Sequence, residues 1–215
     1  MGKIYLGFLI LTHALLGARF EMKDLAQRNL ILINSDAQLE RTVAISHFVS
    51  GWVEVDPDKV ESLTGEFELD VRTLDTGLEL KNIQITEQLL ASHEFPIATG
   101  TLNVSLGALK AKLIDGKPLT VKVNCVFKIK NRTQTLPVNV KLTYFKEGEL
   151  SRQRLTGNLI KLSATWDVDL MAFGIIIPEK SSALIAKNLS VSLDMVGSDR
   201  LPNNALSLPE GIKKK

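Results

Sequence analysis

Alternation of apolar and polar residues is the feature of this sequence that most restricts its fold. Apolar and charged residues alternate without error over residues 66–72, and the odd positions of residues 119–129 are all apolar. After a turn predicted at residues 131–134, the even positions are apolar up to Tyr144. Because successive side chains of a strand point to opposite faces, this pattern predicts strands with one buried face and one solvated face. The second stretch is a predicted long β-hairpin.

The segment 41–55 also alternates, but it carries large apolar residues on both of its faces. Treated as one strand, it has Val43 and Val49 on one side and Phe48 and Trp52 on the other. The rings on the second face indicate that this face is not simply exposed to solvent. We therefore expect one continuous strand that is covered on both sides.

The chain contains about eight such segments, joined mostly by short, turn-like connections that favour antiparallel pairing. Two segments break the pattern and predict short helices, at residues 83–92 and 181–187. A sheet of amphipathic strands has two exposed edges, and closure into a barrel removes both. The alternation therefore predicts an all-β protein, a barrel or a sandwich, and an eight-stranded antiparallel barrel is favoured because it leaves no exposed edge. Such a barrel is either filled by its side chains or wide enough for one small ligand.

The N-terminus has the pattern of a secretory signal peptide. Lys3 precedes a run of 13 mostly apolar residues, shorter than the about 20 that a membrane-spanning helix needs, and Gly17-Ala18 offers a small-residue cleavage site. A buried N-terminal helix is the alternative interpretation. We predict a signal peptide at 1–18, a barrel domain at 19–199 and a flexible C-terminal tail at 200–215. With no second long apolar stretch, the mature chain is expected to be periplasmic or secreted, without a membrane span.

Charge and chemistry-bearing residues argue against several functions. The net charge of +2 gives no large field for binding nucleic acid. One cysteine and three histidines cannot supply a Cys-rich zinc site, and Cys125 lies on an apolar strand face, as a small buried hydrophobe would. His93 and Glu94 are neighbours, which point opposite ways in an extended segment and make a poor catalytic pair. We therefore predict no catalytic residue and no metal ligand.

Several short elements resemble the YceI-like family. Residues 49–57 are similar to the opening strand of that family, and residues 65–71 are followed by a Leu-x-Thr-Gly element at 74–77. A Phe-Gly-Ile element at 173–175 precedes the last predicted strand, as it does in the family. The resemblance covers roughly residues 29–197, and its specificity comes from the order and spacing of the elements.

The resemblance implies a lipocalin-like antiparallel β-barrel. It also implies an exported, non-enzymatic protein that binds a long amphiphile, such as a polyisoprenoid or an isoprenoid quinone, inside the barrel. No cofactor other than such a bound lipid is implied, and family members can pair as homodimers.

The sequence departs from the family pattern at polar positions. After Leu80 the family usually has Arg, then Asp or Asn, one further residue and His, whereas this chain has Lys81, Asn82 and Gln84. Lysine is a compact point charge and cannot make the planar bidentate contact of arginine. An Arg that the family tends to carry before the Phe-Gly-Ile element is Leu170 here. The head group of the ligand is therefore open between a phosphate, a quinone and an uncharged amide or acid.

The predicted binding residues fall into two groups. Aromatic rings give a large apolar contact area at low entropic cost, and the rings expected to line the interior are Phe48, Trp52, Phe95, Trp166 and Phe173. The polar group expected at the mouth of the barrel consists of Lys81, Asn82 and Gln84. The alternatives are rings that only fill a core or pack a helix on the barrel, and a solvated helix start.

The favoured function is an exported carrier or binding protein for a long amphiphilic lipid. A structural or interaction domain with a filled barrel is the alternative, and it predicts no internal cavity. A third interpretation is a hydrolase or isomerase acting on a small hydrophobic substrate, which would need an acid or base inside the barrel. His47 is the best candidate for that role, although a hydrogen-bonded strand histidine fits its position better.

Overall fold

The computed structural model describes residues 17–103 and 111–200, and this part of the chain forms ten strands of one antiparallel sheet. The strands are β1 Ala18–Glu21, β2 Leu30–Asp36, β3 Arg41–Ser46, β4 Val49–Asp56, β5 Lys59–Asp70, β6 Ile97–Asn103, β7 Pro118–Ile129, β8 Arg132–Phe145, β9 Leu159–Asp169 and β10 Asn188–Ser198. Helix α1, Glu79–Ile83, continues as a π-helix over Gln84–Leu89, and α2 spans Glu149–Arg152. Single 3-10 turns lie at Val71–Thr73 and Glu179–Ser181.

The ten strands occupy eight positions around a closed barrel. Strand β1 pairs with β4 on one side and with β10 on the other, where Glu21 lies opposite Ser198. Strand β2 continues the line of β1 along β10, since Leu30 lies opposite Asp194, and β3 continues the line of β4. The remaining strands each pair with their sequence neighbours. The predicted eight-stranded antiparallel barrel is confirmed, although β1 was not among the predicted strands.

The segment predicted as one strand over 41–55 is two strands with opposite phases. In β3 the buried residues are Ala44 and Ser46, at even positions, whereas in β4 they are Val49, Val53 and Val55, at odd positions. The break lies at His47 and Phe48, where the Ser46 hydroxyl accepts a hydrogen bond from the Phe48 amide at 3.0 Å. Because the side-chain period of a strand is two, this break moves the even-numbered residues of β4 to the outside of the barrel.

A buried asparagine holds the strands together where β1 gives way to β2. Asn29 is 1% exposed, and its amide nitrogen donates to the carbonyls of Met22 at 2.8 Å and Val49 at 3.2 Å. Its amide oxygen accepts from the Val196 amide at 3.3 Å. Buried polar groups require such partners, so Asn29 satisfies backbone groups that the interrupted pairing leaves open.

The segment between β1 and β2 is anchored by a carboxylate between two arginines. The Asp24 side chain is fully buried and lies 2.8 Å from Arg28 and 2.9 Å from Arg154. Burial by itself would raise the pKa of the Asp24 carboxyl, but hydrogen bonds from Arg28 and the Ala26 amide, together with both guanidinium charges, lower the pKa below the ordinary 3.8. The carboxylate therefore stabilises the folded state in its ionised form.

Asp24→Asn should make the free energy of unfolding depend less on pH in the acid range. A carboxyl with a lowered pKa stabilises the fold above its ordinary pKa of 3.8, and that stability is lost as the pH falls through the lower folded value. At neutral pH we expect the variant to lose about 1–3 kcal/mol of unfolding free energy, because both arginines remain partly exposed to solvent. Urea unfolding across the acid range, measured for both proteins, tests this. If the unfolding free energies of the two proteins decreased in parallel with pH below about pH 4, the result would contradict this expectation.

The predicted local elements differ in detail from those observed. The β7–β8 hairpin is confirmed, but its turn consists of Lys130 and Asn131, with Ile129 opposite Arg132, so the second strand begins earlier than expected. The first helix begins at Glu79 rather than at residue 83. In place of the second predicted helix, a 3-10 turn at Glu179–Ser181 is followed by turns in which the Leu184 and Ile185 amides donate to the Ser181 carbonyl.

The predicted leader and tail fall mainly outside the described residues, which exclude 1–16 and 201–215. Ala18, the last residue of the predicted signal peptide, is the first residue of β1. In the part of the chain that the structure describes, no helix combines the length and the apolar character needed to cross a bilayer.

Candidate functional site

The interior of the barrel has a packed half and a hollow half. The packed half lies where β1 and β4 close the sheet, and its large side chains are almost completely buried, among them Phe20, Met22, Leu63, Leu142, Ile160 and Met195. The hollow half is lined in part by β2 and β3 and contains a cavity of about 180 Å³ that opens to solvent. The boundary falls between neighbouring inward positions of β8, since Val140 lines the cavity and Leu142 belongs to the packed half.

The cavity wall is almost wholly apolar because the inward positions of the strands carry aliphatic residues. Representative members of the wall are Ile33, Leu69, Val138, Leu162, Trp166 and Val191. Phe127 and Trp166 stack within the wall, with ring centroids 5.0 Å apart and planes 20° apart. Gly100 makes room for this pair, since a Cβ at that position would lie 3.0 Å from the Phe127 ring. Such a surface suits a long apolar chain rather than a polar metabolite.

The π-helical stretch after α1 covers the hollow half at one end. Ile85, Leu89 and Leu90 contribute apolar side chains to the cavity wall. The Lys130 ammonium at the tip of the β7–β8 hairpin donates to the Leu89 carbonyl at 3.3 Å, which ties the hairpin to this helix. A π-helix inside an α-helix often accompanies a functional site, and here it places three apolar residues over the cavity.

The Leu-x-Thr-Gly element attaches the helix to the open edge of β3. The backbones of Asp75 and Ile45 exchange two hydrogen bonds of 2.8 Å, and Leu74 lies in the cavity wall. Gly77 has a φ of +78°, a conformation that favours glycine. Asn82 accepts from the Thr76 amide at 2.8 Å and from its hydroxyl at 2.7 Å. The element is therefore a structural clasp that positions α1.

The Phe-Gly-Ile element forms part of the same end of the barrel. Gly174 has a φ of +71°, and the flanking Phe173 and Ile175 are each 1% exposed. Ile175 lies in the cavity wall, and the Gln134 amide donates to the Ala172 carbonyl at 2.9 Å. A turn with a positive φ lets the two neighbours of the glycine both point inward.

An ion pair lies at the edge of the cavity. The Lys81 ammonium is 2.8 Å from the Glu40 carboxylate, and the two side chains are 13% and 31% exposed. Lys81 belongs to the cavity wall, and it is the only lysine or arginine there among the residues that the structure describes. Thr42, also in the wall, donates from its hydroxyl to Glu40 at 3.4 Å.

The structure places only one of the five predicted rings in the cavity wall. Trp166 lies there, and Phe173 is buried in the core beside the cavity without lining it. Phe48 is 52% exposed on the outside, and Trp52 also points outward, with Arg19 stacked 4.1 Å from its ring. The phase break at His47 explains both errors. Phe95 is half-buried in the turn before β6 and lies outside the wall as well.

Of the predicted polar group, only Lys81 borders the cavity. Asn82 is occupied by the clasp described above and by a hydrogen bond of 2.8 Å that it donates to the Asp75 carboxylate. Gln84 is partly buried on the helix and does not line the cavity. The expectation that the three side chains act together at a mouth is therefore wrong in its geometry.

Sequence reasoning missed the Phe127 ring and the partner of Lys81. Phe127 carried a usable signal, since it sits in phase with the other apolar odd positions of β7. Glu40 carried none, because it precedes β3 by one residue and is separated from Lys81 by 41 positions.

The histidines considered as candidate catalytic residues lie outside the cavity wall. His47 lies in the break between β3 and β4 rather than within a strand, hydrogen-bonds through Nδ1 to the Asn29 carbonyl at 2.9 Å, and is absent from the cavity wall. His93 lies 3.4 Å from Glu87 at an exposed position. Within residues 17–103 and 111–200, no three His, Cys, Asp or Glu side chains group as a metal site requires.

The reactivity of the Cys125 thiol is a chemical probe of the barrel interior. It is buried in the cavity wall, and burial raises the pKa of its thiol from 9.0 to about 11. At pH 8 the folded protein should therefore react with a thiol reagent at least about 100-fold more slowly than the unfolded protein, since the thiolate is the reactive species. Timed labelling with and without denaturant measures this. Equal rates would contradict the buried position.

The fold and the cavity define the chain as a small antiparallel barrel with a hollow, apolar interior at one end. The sequence model of the YceI-like domain matches residues 36–197, and the chain belongs to this family. The resemblance inferred from the sequence is thus confirmed. No curated protein sequence matches the chain.

Solved structures share this fold at low sequence identity. A polyisoprenoid binding domain from Saccharophagus degradans, implicated in plant cell wall breakdown, has 14% identity and a TM-score of 0.63, with 85% of this chain and 98% of that chain covered. Burkholderia cenocepacia BcnA has 19% identity, a TM-score of 0.61 and coverages of 80% and 98%. The Campylobacter jejuni YCEI protein has 11% identity, a TM-score of 0.53 and coverages of 71% and 82%.

Proposed function

We propose that this chain is an exported, non-enzymatic carrier or binding protein for a long amphiphilic lipid, a polyisoprenoid or an isoprenoid quinone. The observation that carries the proposal is the apolar cavity, whose wall changes from aliphatic and aromatic residues to the Lys81–Glu40 pair at one edge. An amphiphile has the same division, with an oily chain and a polar head.

The energetic reason for such a protein is the cost of keeping a long hydrocarbon in water. Each methylene that leaves water for an apolar surface contributes about 0.8 kcal/mol. A chain of several isoprene units therefore gains enough to offset the entropy lost when it is held in the barrel. The partly filled interior leaves space for this chain without unfolding any strand.

A solved structure with the same fold and the N-terminal sequence give the proposal further support. The Saccharophagus degradans structure, which shares the fold, is described as a polyisoprenoid binding domain. The apolar leader at residues 1–18, with its small-residue cleavage site, supports export to the periplasm or beyond the cell. The hollow half also favours this proposal over a filled interaction domain, which predicts an interior without a cavity.

Native mass spectrometry of the protein, purified without detergent, tests the proposal. We expect one lipid per barrel, and extraction followed by addition of a polyprenyl quinone should restore the same mass shift. An empty barrel that takes up neither a polyprenyl lipid nor a quinone would overturn the function. N-terminal sequencing of the protein from the producing cells tests the export step, since a retained leader would contradict it.

A further inference from the structure

The charges at the edge of the cavity are already balanced within the protein. Lys81 is the one cation in the cavity wall among the described residues, and its ammonium lies 2.8 Å from Glu40. The other charged member of the wall is Glu68, an exposed side chain that adds a negative charge rather than a positive one. A ligand head group therefore meets a site with no uncompensated positive charge.

Hydrogen-bond donors nevertheless remain at this edge. A lysine ammonium has three N–H donors, and the Glu40 carboxylate does not use all of them. Ser35 lies in the same wall and accepts from the Ala186 amide at 2.9 Å, which leaves its own O–H free to donate. Each of these side chains can donate a hydrogen bond to an oxygen acceptor on a ligand.

The free-energy cost of moving a head group from water to the edge of the cavity differs between a phosphate and a carbonyl. A phosphate must leave water to enter, and burying an anion is costly unless a cation pairs with it. Among the described residues of the wall, Lys81 is the one candidate cation, and Glu40, which pairs with it, would lie beside the incoming anion and add like-charge repulsion. A neutral carbonyl oxygen loses far less hydration and regains hydrogen bonds from the donors.

We propose that the barrel selects lipids with an uncharged, hydrogen-bond-accepting head group, such as a quinone, ester or amide carbonyl, and that Glu40 excludes polyprenyl phosphates by neutralising Lys81. This inference rests on the proposed lipid-binding function and adds the head-group class. Glu40 acts as a specificity-determining residue through Lys81, without itself contacting the apolar chain.

The test compares two ligands with the same number of isoprene units, a prenyl quinone and a polyprenyl monophosphate. Native mass spectrometry titrations of the delipidated protein give both affinities. We expect the quinone to bind at least about 10-fold more tightly than the phosphate, which corresponds to about 1.4 kcal/mol. Glu40→Gln releases the Lys81 charge, so phosphate binding should tighten by about 10-fold while quinone binding changes by less than about 3-fold.

Glu61→Gln is the matched control, because Glu61 is exposed on β5 and does not line the cavity. It should change neither affinity. Equal or tighter binding of the phosphate by the unmodified protein overturns this inference but leaves lipid binding intact. A Glu40→Gln variant whose preference between the two ligands is unchanged also overturns this inference and leaves lipid binding intact. Binding of neither ligand overturns the proposed function, and this inference with it.

Discussion

Ala164→Phe should leave the barrel folded and weaken lipid binding by at least about 100-fold, which corresponds to about 2.7 kcal/mol. Ala164 is 5% exposed on β9 and lines the cavity, with Val140 and Leu193 opposite it on the neighbouring strands. A phenyl ring at this position projects into unfilled space and occupies the volume that the lipid chain needs. Because the space is already empty, the ring causes little of the overpacking that destabilises a filled core.

Thr165→Phe is the matched control for this variant. Thr165 is the next residue of the same strand, and it is exposed on the outer face. The control adds the same ring to the same sheet without entering the cavity, so it should bind lipid as the unmodified protein does. Thermal unfolding and native mass spectrometry of both variants separate folding from binding. Unchanged lipid uptake by a folded Ala164→Phe variant would show that the ligand does not occupy the hollow half.

The fold could be predicted from the sequence because its evidence is local and repeated. In β7 and β8 the inward residues, such as Val123 and Val138, recur at every second position for the length of each strand. Such a pattern states which face is buried and leaves only a barrel or a sandwich to accommodate the edges. The order of the short family elements then selected the barrel.

The site was predicted less well because its evidence is not local. A single break at His47 reversed the phase of β4, and this moved Phe48 and Trp52 from the predicted interior to the outer surface. Glu40 reaches Lys81 only after β3 and α1 have been brought together by the clasp at Asp75. Alternation identifies a buried face, but it does not say whether the space behind that face is filled.

Only the three-dimensional packing therefore shows which half of the barrel interior is filled and which is hollow. Both halves of the barrel use the same types of inward residue, and the difference lies in what each side chain meets across the barrel. In the packed half Phe20 meets Tyr144 edge to face, with ring centroids 6.2 Å apart. In the hollow half Phe127 has a ring partner on one side and unfilled space on the other.

This difference predicts unequal costs for the same truncation. Phe20→Ala should lower the free energy of unfolding by about 3–5 kcal/mol, because Phe20 is fully buried and its removal opens a cavity in a filled core. Phe127→Ala, the matched variant in the cavity wall, should cost about half as much, since its ring is partly buried and already borders a space. Urea unfolding of both variants without lipid measures the two losses. Equal losses would mean that the wall of the hollow half is as tightly packed as the core around Phe20.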